Sequence, residues 1–163
     1  MWTSKSPRVV ETLTLGVLGG FAGGAAEIGW IGLYGAATGT SIDPVARGVV
    51  ESAIPTMATS AWAVELGVLI HLCLAVALGI ALAFGIRLIL HLRETFRSEI
   101  AFTVLILTAV WAMNFLVVLP YINPVFVHLL PYSVTLLSKG MFGIAAATIF
   151  HARRGQRVAT ASP

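Results

Sequence analysis

The chain has 163 residues, of which 58% are hydrophobic and only 10% are charged, and its formal net charge at pH 7 is +3. Soluble globular domains carry about 25% charged residues, so these values, with a mean hydropathy of +0.92, exclude an ordinary soluble domain. They predict an integral membrane protein, and the length leaves room for a single small domain over residues 1–163. The basic residues lie in loops and at chain ends, which favours membrane topology over nucleic-acid binding.

Four stretches are long enough to cross a hydrocarbon core, which takes about 20 helical residues. They lie at about 9–36, 62–90, 99–119 and 124–151. A signal peptide is a competing interpretation of the first stretch, but its apolar part is too long and contains Glu27. The predicted fold class is all-α, an integral membrane bundle of four transmembrane helices with a short amphipathic helix on the outer surface.

The first span carries small residues at every fourth position. One ladder consists of Gly16, Gly20 and Gly24, and a second consists of Gly19 and Gly23 and continues to Glu27. Small residues at this spacing let membrane helices approach closely, where no hydrophobic effect drives association. The five glycines are therefore predicted helix-packing positions, and Glu27 is predicted to face protein.

The loop after the first span contains the signals of a short surface helix. Asp43 precedes Pro44, the pattern of an N-cap followed by proline in the first helical turn. Pro55 then ends the helix. We therefore predict a surface helix at about 44–52.

The last two spans are joined by a proline-rich segment. The sequence predicts a tight turn from Pro120 to Asn123, with Asn123 as the cap of the fourth span and Pro124 as its first residue. Pro131 then falls inside that span, where it is predicted to kink the helix.

Each span contains a polar residue of its own. Counting about 1.5 Å per residue from the outer end of each span, Glu27, His71, Asn114 and His128 fall into one layer of polar residues that are predicted to be buried in the bundle, and the stem of Lys139 can reach Glu27. An ionisable residue inside a span costs about 2.5–3.5 kcal/mol on insertion scales, so Glu27 and Lys139 are predicted to pair. The layer either stabilises the bundle through internal hydrogen bonds or forms a site for a proton, a metal ion or a small polar ligand.

Metal and haem sites are possible uses of this layer. Glu27, His71 and His128 provide a carboxylate and two imidazoles, which are common ligands of transition metals. No short spacing such as HxxxH supports the metal site. Axial ligation of a haem by His71 and His128 needs the two residues at similar depths, and their expected depths differ.

The distribution of basic residues predicts the orientation. Eight of them precede the first span, separate the second from the third, or follow the fourth: Lys5, Arg8, Arg87, Arg93, Arg97, Arg153, Arg154 and Arg157. The other two connections contain only Arg47. By the positive-inside rule, both termini are cytoplasmic, and Asp43 and Asn123 are external.

The order of these features resembles small bacterial inner-membrane proteins built on a domain of unknown function. The similarity lies in the segments "AAEIGWIGLY", "GVLIHLCLAVALG" and "LPYINPVFVHLLPY". It implies a four-helix protein of the bacterial inner membrane, and it carries no activity and no functional residues over to this chain.

Two hypotheses for the function remain. The first is a non-enzymatic accessory or scaffold subunit of a larger membrane assembly, since the chain has no GxSxG, P-loop or HExxH signature. The second is a small transporter, or an ion- or cofactor-binding membrane protein, that uses the polar layer. Both predict the lipid bilayer and other membrane subunits, or further copies of the chain, as partners.

Overall fold

The structure is a computed structural model that describes residues 6–89 and 96–161, and no strand occurs in these two ranges. The helices are α1 (Ser6–Thr38), α2 (Asp43–Ala53), α3 (Ala63–Ile89), α4 (Phe96–Met113), α5 (Leu119–Ile122) and α6 (Tyr132–Ala161). The predicted all-α architecture is confirmed. Lys5 and Arg93, which contribute to the predicted orientation, lie outside the described residues.

Four helical segments are long and apolar enough to cross a membrane. They are Val9–Thr38, Ala63–Leu88, Ile100–Ile122 and Tyr132–Ala152. Helix α1 packs against both α3 and α6, and α4 packs against α6, whereas α3 and α4 contact each other little. The neighbour order around the bundle is therefore α3, α1, α6, α4, with α2 lying against α3 at one end.

Both glycine ladders of α1 lie at helix contacts, on two different faces. A Cβ added at Gly20 would lie 2.5 Å from the carbonyl oxygen of Ala75 and 2.7 Å from Cα of Val76, which are backbone atoms of α3. A Cβ at Gly23 would lie 2.6 Å from the ring of Phe142 on α6. The absence of side chains thus lets α1 approach both neighbours closely, as small residues do in membrane helices.

The ends of α1 and α2 follow ordinary local rules. Gly39 follows the last residue of α1 with a φ of +70°, a left-handed conformation that glycine adopts without strain. Pro44 lies in the first turn of α2, where its missing N–H costs nothing. Asp43 is the first residue of this helix and makes no side-chain cap, so the predicted cap is wrong in that detail.

Helix α4 continues past Met113 through a π-helical turn, Asn114–Val118, into α5. The N–H of Leu119 donates to the carbonyl of Asn114, which is the π pattern. Pro120 follows directly, and a proline ring crowds the preceding turn of a regular α-helix. The wider turn relieves that crowding, so the helix runs on to Ile122 and does not end at 119 as predicted.

The fourth long helix starts at Tyr132 and not at the predicted position 124. The residues before it form a 3-10 turn, Phe126–His128, and Oδ1 of Asn123 accepts a 3.1 Å hydrogen bond from the N–H of Phe126. Pro131 therefore precedes α6. The predicted kink inside this helix is wrong, because a proline at the start of a helix removes no intrahelical hydrogen bond.

The larger hydrophobic cluster lies in the half of the bundle away from α2, and a smaller one around Phe115, Leu119 and Val127 lies at the α2 end. Side chains of α3, α4 and α6 meet in the larger cluster around the fully buried Phe142, Phe150, Ile86 and Leu107. At the α2 end, a cavity lies between α3 and the segment that runs from α4 to α5.

Candidate functional site

An ion pair between α1 and α6 lies at the centre of the site. Nζ of Lys139 is 2.6 Å from Oε1 of Glu27, and the Glu27 side chain is only 4% exposed. The hydroxyl of Ser138 lies 3.3 Å from the same oxygen and donates a shorter 2.7 Å bond to the carbonyl of Thr135. The pairing of Glu27 with Lys139 that the sequence predicts is therefore present.

His71 on α3 approaches the other carboxylate oxygen. Its Nε2 lies 3.4 Å from Oε2 of Glu27. The orientation does not make a hydrogen bond, and this nitrogen is buried with no other partner among the described residues. Glu27 is thus bound tightly by Lys139 and only approached by His71.

The glycine ladders explain why these three side chains meet. Glu27 continues the ladder of Gly19 and Gly23, whose open face receives Phe150 and Phe142 of α6. Lys139 lies one helical turn before Phe142 on α6, so the same contact between α1 and α6 brings Lys139 to the carboxylate of Glu27. A packing motif in the sequence therefore fixes the position of a buried charge.

A cavity of about 530 Å³ lies beside this cluster. Its walls come from all the main helices and are mostly apolar, and Glu27, His71 and Lys139 are the ionisable side chains that line it. Several lining residues on the α3 side and on the α4–α5 side are exposed, including Leu74 at 62% and Ile122 at 57%. The mouth of the cavity therefore lies between α3 and α5, on the side of the bundle.

Helix α2 closes the cavity at its end through Val45, Ala46 and Val49. Two sets of hydrogen bonds hold α2 in place, and the first comes from Arg47. Nη1 of Arg47 donates to the carbonyls of Ala58 and Ser60 at 3.3 and 3.2 Å.

The second set of hydrogen bonds comes from Asn123, which is buried with only 5% of its surface exposed. Its Nδ2 lies within hydrogen-bonding distance of three oxygens of α2, the carbonyl of Gly48 at 3.3 Å and the side chains of Glu51 and Ser52 at 3.2 Å. Asn123 therefore joins the connection between α5 and α6 to the surface helix.

The remaining members of the predicted polar layer do not join the cluster. Asn114 lines the cavity but is exposed, and its side chain makes no hydrogen bond with the described part of the protein. His128 is exposed on the 3-10 turn and lines a separate depression with Pro131 and Tyr132. The prediction of four buried polar residues in one layer is therefore wrong for these two.

The position of His128 also bears on the predicted metal and haem ligands. The predicted continuous helix from 124 would turn His128 inward, whereas the 3-10 turn leaves it exposed. His71 and His128 instead line different cavities. Within residues 6–89 and 96–161, no three His, Cys, Asp or Glu side chains come together as a metal site would require.

Sequence reasoning missed Ser138, Thr135 and Asn123 as members of this region. Thr135 accepts a 3.0 Å hydrogen bond from the indole of Trp111 and, like Ser138, lines the cavity. Both hydroxyls precede Lys139 on one helical face, so the spacing could have drawn attention to them. The contacts of Asn123 with α2 join residues far apart in the chain, and no local pattern signals them.

No protein-family model matches the chain, and the comparisons with curated proteins and with solved structures give no match either. The geometry of the site therefore carries the functional argument.

Proposed function

We propose that the chain is a non-enzymatic multi-pass membrane protein that binds a hydrophobic small molecule in the cavity between α3 and α5. The observation that carries the proposal is the cavity itself. Its volume of about 530 Å³ falls in the range of about 300–1,000 Å³ that is typical of ligand sites, and its apolar walls with a few polar groups are typical as well.

The position of the mouth supports a ligand that arrives through the bilayer. The exposed residues at the mouth, Val68, Leu74 and Ile122, are apolar and lie on the side of the helices that would cross the membrane. A molecule dissolved in the lipid could enter between these helices without passing the ion pair. Binding would bring the apolar atoms of the ligand into closer van der Waals contact with the cavity walls than they have in the lipid.

The polar groups at the wall favour binding over catalysis. The hydroxyl hydrogens of Thr135 and Ser138 are directed at backbone carbonyls at 3.1 and 2.7 Å. His71 is not bonded to either hydroxyl, so the arrangement of nucleophile and base used in covalent catalysis is not assembled by these residues.

Mass spectrometry of the intact protein, released from detergent after extraction from its native membrane, tests the proposal. We expect the parent chain to retain a non-protein mass. Val68→Trp places an indole at the cavity mouth and should lose that mass. Leu69→Trp is the matched control, because Leu69 is also an exposed apolar residue of α3 but does not line the cavity. Equal retention by both variants would show that the cavity is not the binding site.

The same experiment separates this proposal from the accessory-subunit hypothesis. An accessory subunit would co-purify with partner chains in fixed stoichiometry, and its association would be insensitive to Val68→Trp. A partner that leaves with Val68→Trp and stays with Leu69→Trp would mean that the cavity receives a side chain of that partner and not a small molecule.

We also propose that the protein lies in a bacterial inner membrane with both termini in the cytoplasm. The distribution of basic residues supports this orientation by the positive-inside rule. Cysteine labelling in intact cells, with Cys73 replaced, should mark position 43 from outside and leave position 93 unmarked. External labelling at position 93 would reverse the orientation.

A further inference from the structure

Asn114 contributes to the cavity a polar side chain that makes no hydrogen bond within the described part of the protein. Asn114 lies on the π-helical turn, lines the cavity and is exposed. Its amide offers two donors and one acceptor oxygen, and none of them is bonded to the described part of the chain. An amide without a partner among apolar surroundings is costly, so a bound molecule that pairs with it gains from that contact.

The charged groups of the cavity are already matched to one another. Lys139 and Glu27 form the 2.6 Å pair, and their charges cancel. The close contact of the carboxylate is with Lys139 and not with His71, whose Nε2 stays at 3.4 Å without a hydrogen bond. The wall therefore offers neither an unpaired carboxylate nor an unpaired ammonium group to a ligand.

From these two observations we infer that the cavity selects an uncharged amphiphile, which carries a carbonyl oxygen as its polar head and an apolar body. This inference rests on the proposed function and names its ligand class. The amide of Asn114 donates a hydrogen bond to the carbonyl. The apolar body packs against the walls that α2 and α3 provide, among them Val49, Leu74 and Leu78.

A charged head does not fit the same wall. A carboxylate would add an unmatched negative charge near Glu27, and an amine would add a positive charge near Lys139, in apolar surroundings where unpaired charges are expensive. A carbonyl changes no charge and completes the hydrogen bonding of Asn114. Two sources supply such a group, namely a free ketone or quinone and the ester carbonyl of a bilayer lipid.

Four probes of equal length test this selection in nanodiscs made of ether-linked phosphatidylcholine, which contains no ester carbonyl. They are tridecane, 2-tridecanone, dodecanoate and dodecylamine, and the measurement is the rise in Tm of the parent chain at increasing probe concentration. We expect 2-tridecanone to bind about fivefold more tightly than tridecane, as one net hydrogen bond allows. The two charged probes should bind more weakly than the ketone.

Variants assign the preference to Asn114. Asn114→Leu keeps the size of the side chain, and the ketone and the alkane should then bind about equally tightly. Thr108→Val is the control, because the hydroxyl of this exposed α4 residue bonds to Val104 and does not line the cavity. If Asn114→Leu does not fold, Asn114→Asp provides the second comparison, and it should shift the preference to dodecylamine.

The outcomes separate the inference from the proposed function. Equal binding of tridecane and 2-tridecanone, both abolished by Val68→Trp, would overturn the inference and leave the proposed function standing. Tighter binding of dodecanoate would overturn it as well. A Tm that no probe changes would contradict both. A ketone preference that shrinks in ester-linked phosphatidylcholine would support the inference and identify the lipid ester as the source of the carbonyl.

Discussion

The two halves of the bundle use the same helices in different ways. In the half away from α2, side chains of α3, α4 and α6 share a continuous apolar core, and Phe142 and Phe150 are almost completely buried. In the α2 half, α3 and α5 stand apart, and the space between them is the cavity of about 530 Å³. The first half holds the helices together, and the second half leaves room for another molecule.

The difference has local causes. Glycines at positions 16, 20 and 79 bring α1 and α3 into backbone contact below the cavity. Above them, the π-helical turn and Pro120 change the course of the helix that faces α3. Bulky residues around this turn, Trp111, Phe115, Phe126 and Tyr132, pack against one another at ring-centroid distances of 5.8–6.4 Å and support the wall of the cavity.

The largest effect is expected from breaking the packed half. Gly20→Leu places a branched side chain against backbone atoms of α3 that cannot move aside, so α1 and α3 must separate. Overpacking of this kind costs about 1–3 kcal/mol or more even where side chains can adjust. We expect little monodisperse protein in size-exclusion chromatography. The matched change is Gly29→Leu on the same helix, where an added Cβ has no atom within 4 Å, and it should behave like the parent.

The next effect in size concerns the ion pair. Glu27→Gln leaves Lys139 without a charged partner and should cost on the order of 3 kcal/mol of unfolding free energy. The double variant with Lys139→Met should recover part of this loss, which equilibrium unfolding in mixed micelles can measure as a double-mutant cycle. Glu65→Gln, at an exposed position of α3, is the control and should change little. Strict additivity of the two changes would argue against the pair.

A smaller and more local effect is expected for Asn123→Ala. The change removes the hydrogen bonds to Gly48, Glu51 and Ser52 and the cap on Phe126, with an expected loss of about 1–3 kcal/mol. Hydrogen–deuterium exchange should speed up in α2 and stay unchanged around Phe142. Uniform acceleration over the whole chain would mean that Asn123 stabilises the entire bundle and does not act as a local connection.

The packed half follows from the sequence more directly than the cavity does. Length and hydropathy predict the long helices, and the spacing of Gly16, Gly20 and Gly24 predicts a contact with a neighbour because helical periodicity is a local property. The pairing of Glu27 with Lys139 follows from the cost of unpaired charges in a membrane.

The cavity half depends on features that local patterns do not reveal. Two prolines of one segment have different effects, since Pro120 follows a π-helical turn that accommodates it and Pro131 immediately precedes α6. A helix that starts at 124 would turn His128 inward, but α6 starts at Tyr132 and His128 is exposed. The separation of α3 from α5 and the bonds of Asn123 to α2 are set by tertiary packing, which composition and spacing do not encode.

Photolabelling tests the central claim most directly, namely that the α2 half holds a hydrophobic molecule. A 2-tridecanone analogue with a diazirine on its chain is irradiated with the protein in ether-lipid nanodiscs, and the adducts are mapped by peptide mass spectrometry. We predict adducts on cavity residues such as Leu74, Val110 and Ile122, which excess 2-tridecanone removes. Adducts that excess 2-tridecanone does not remove, spread over exposed residues outside the cavity such as Leu33 and Leu105, would contradict the account.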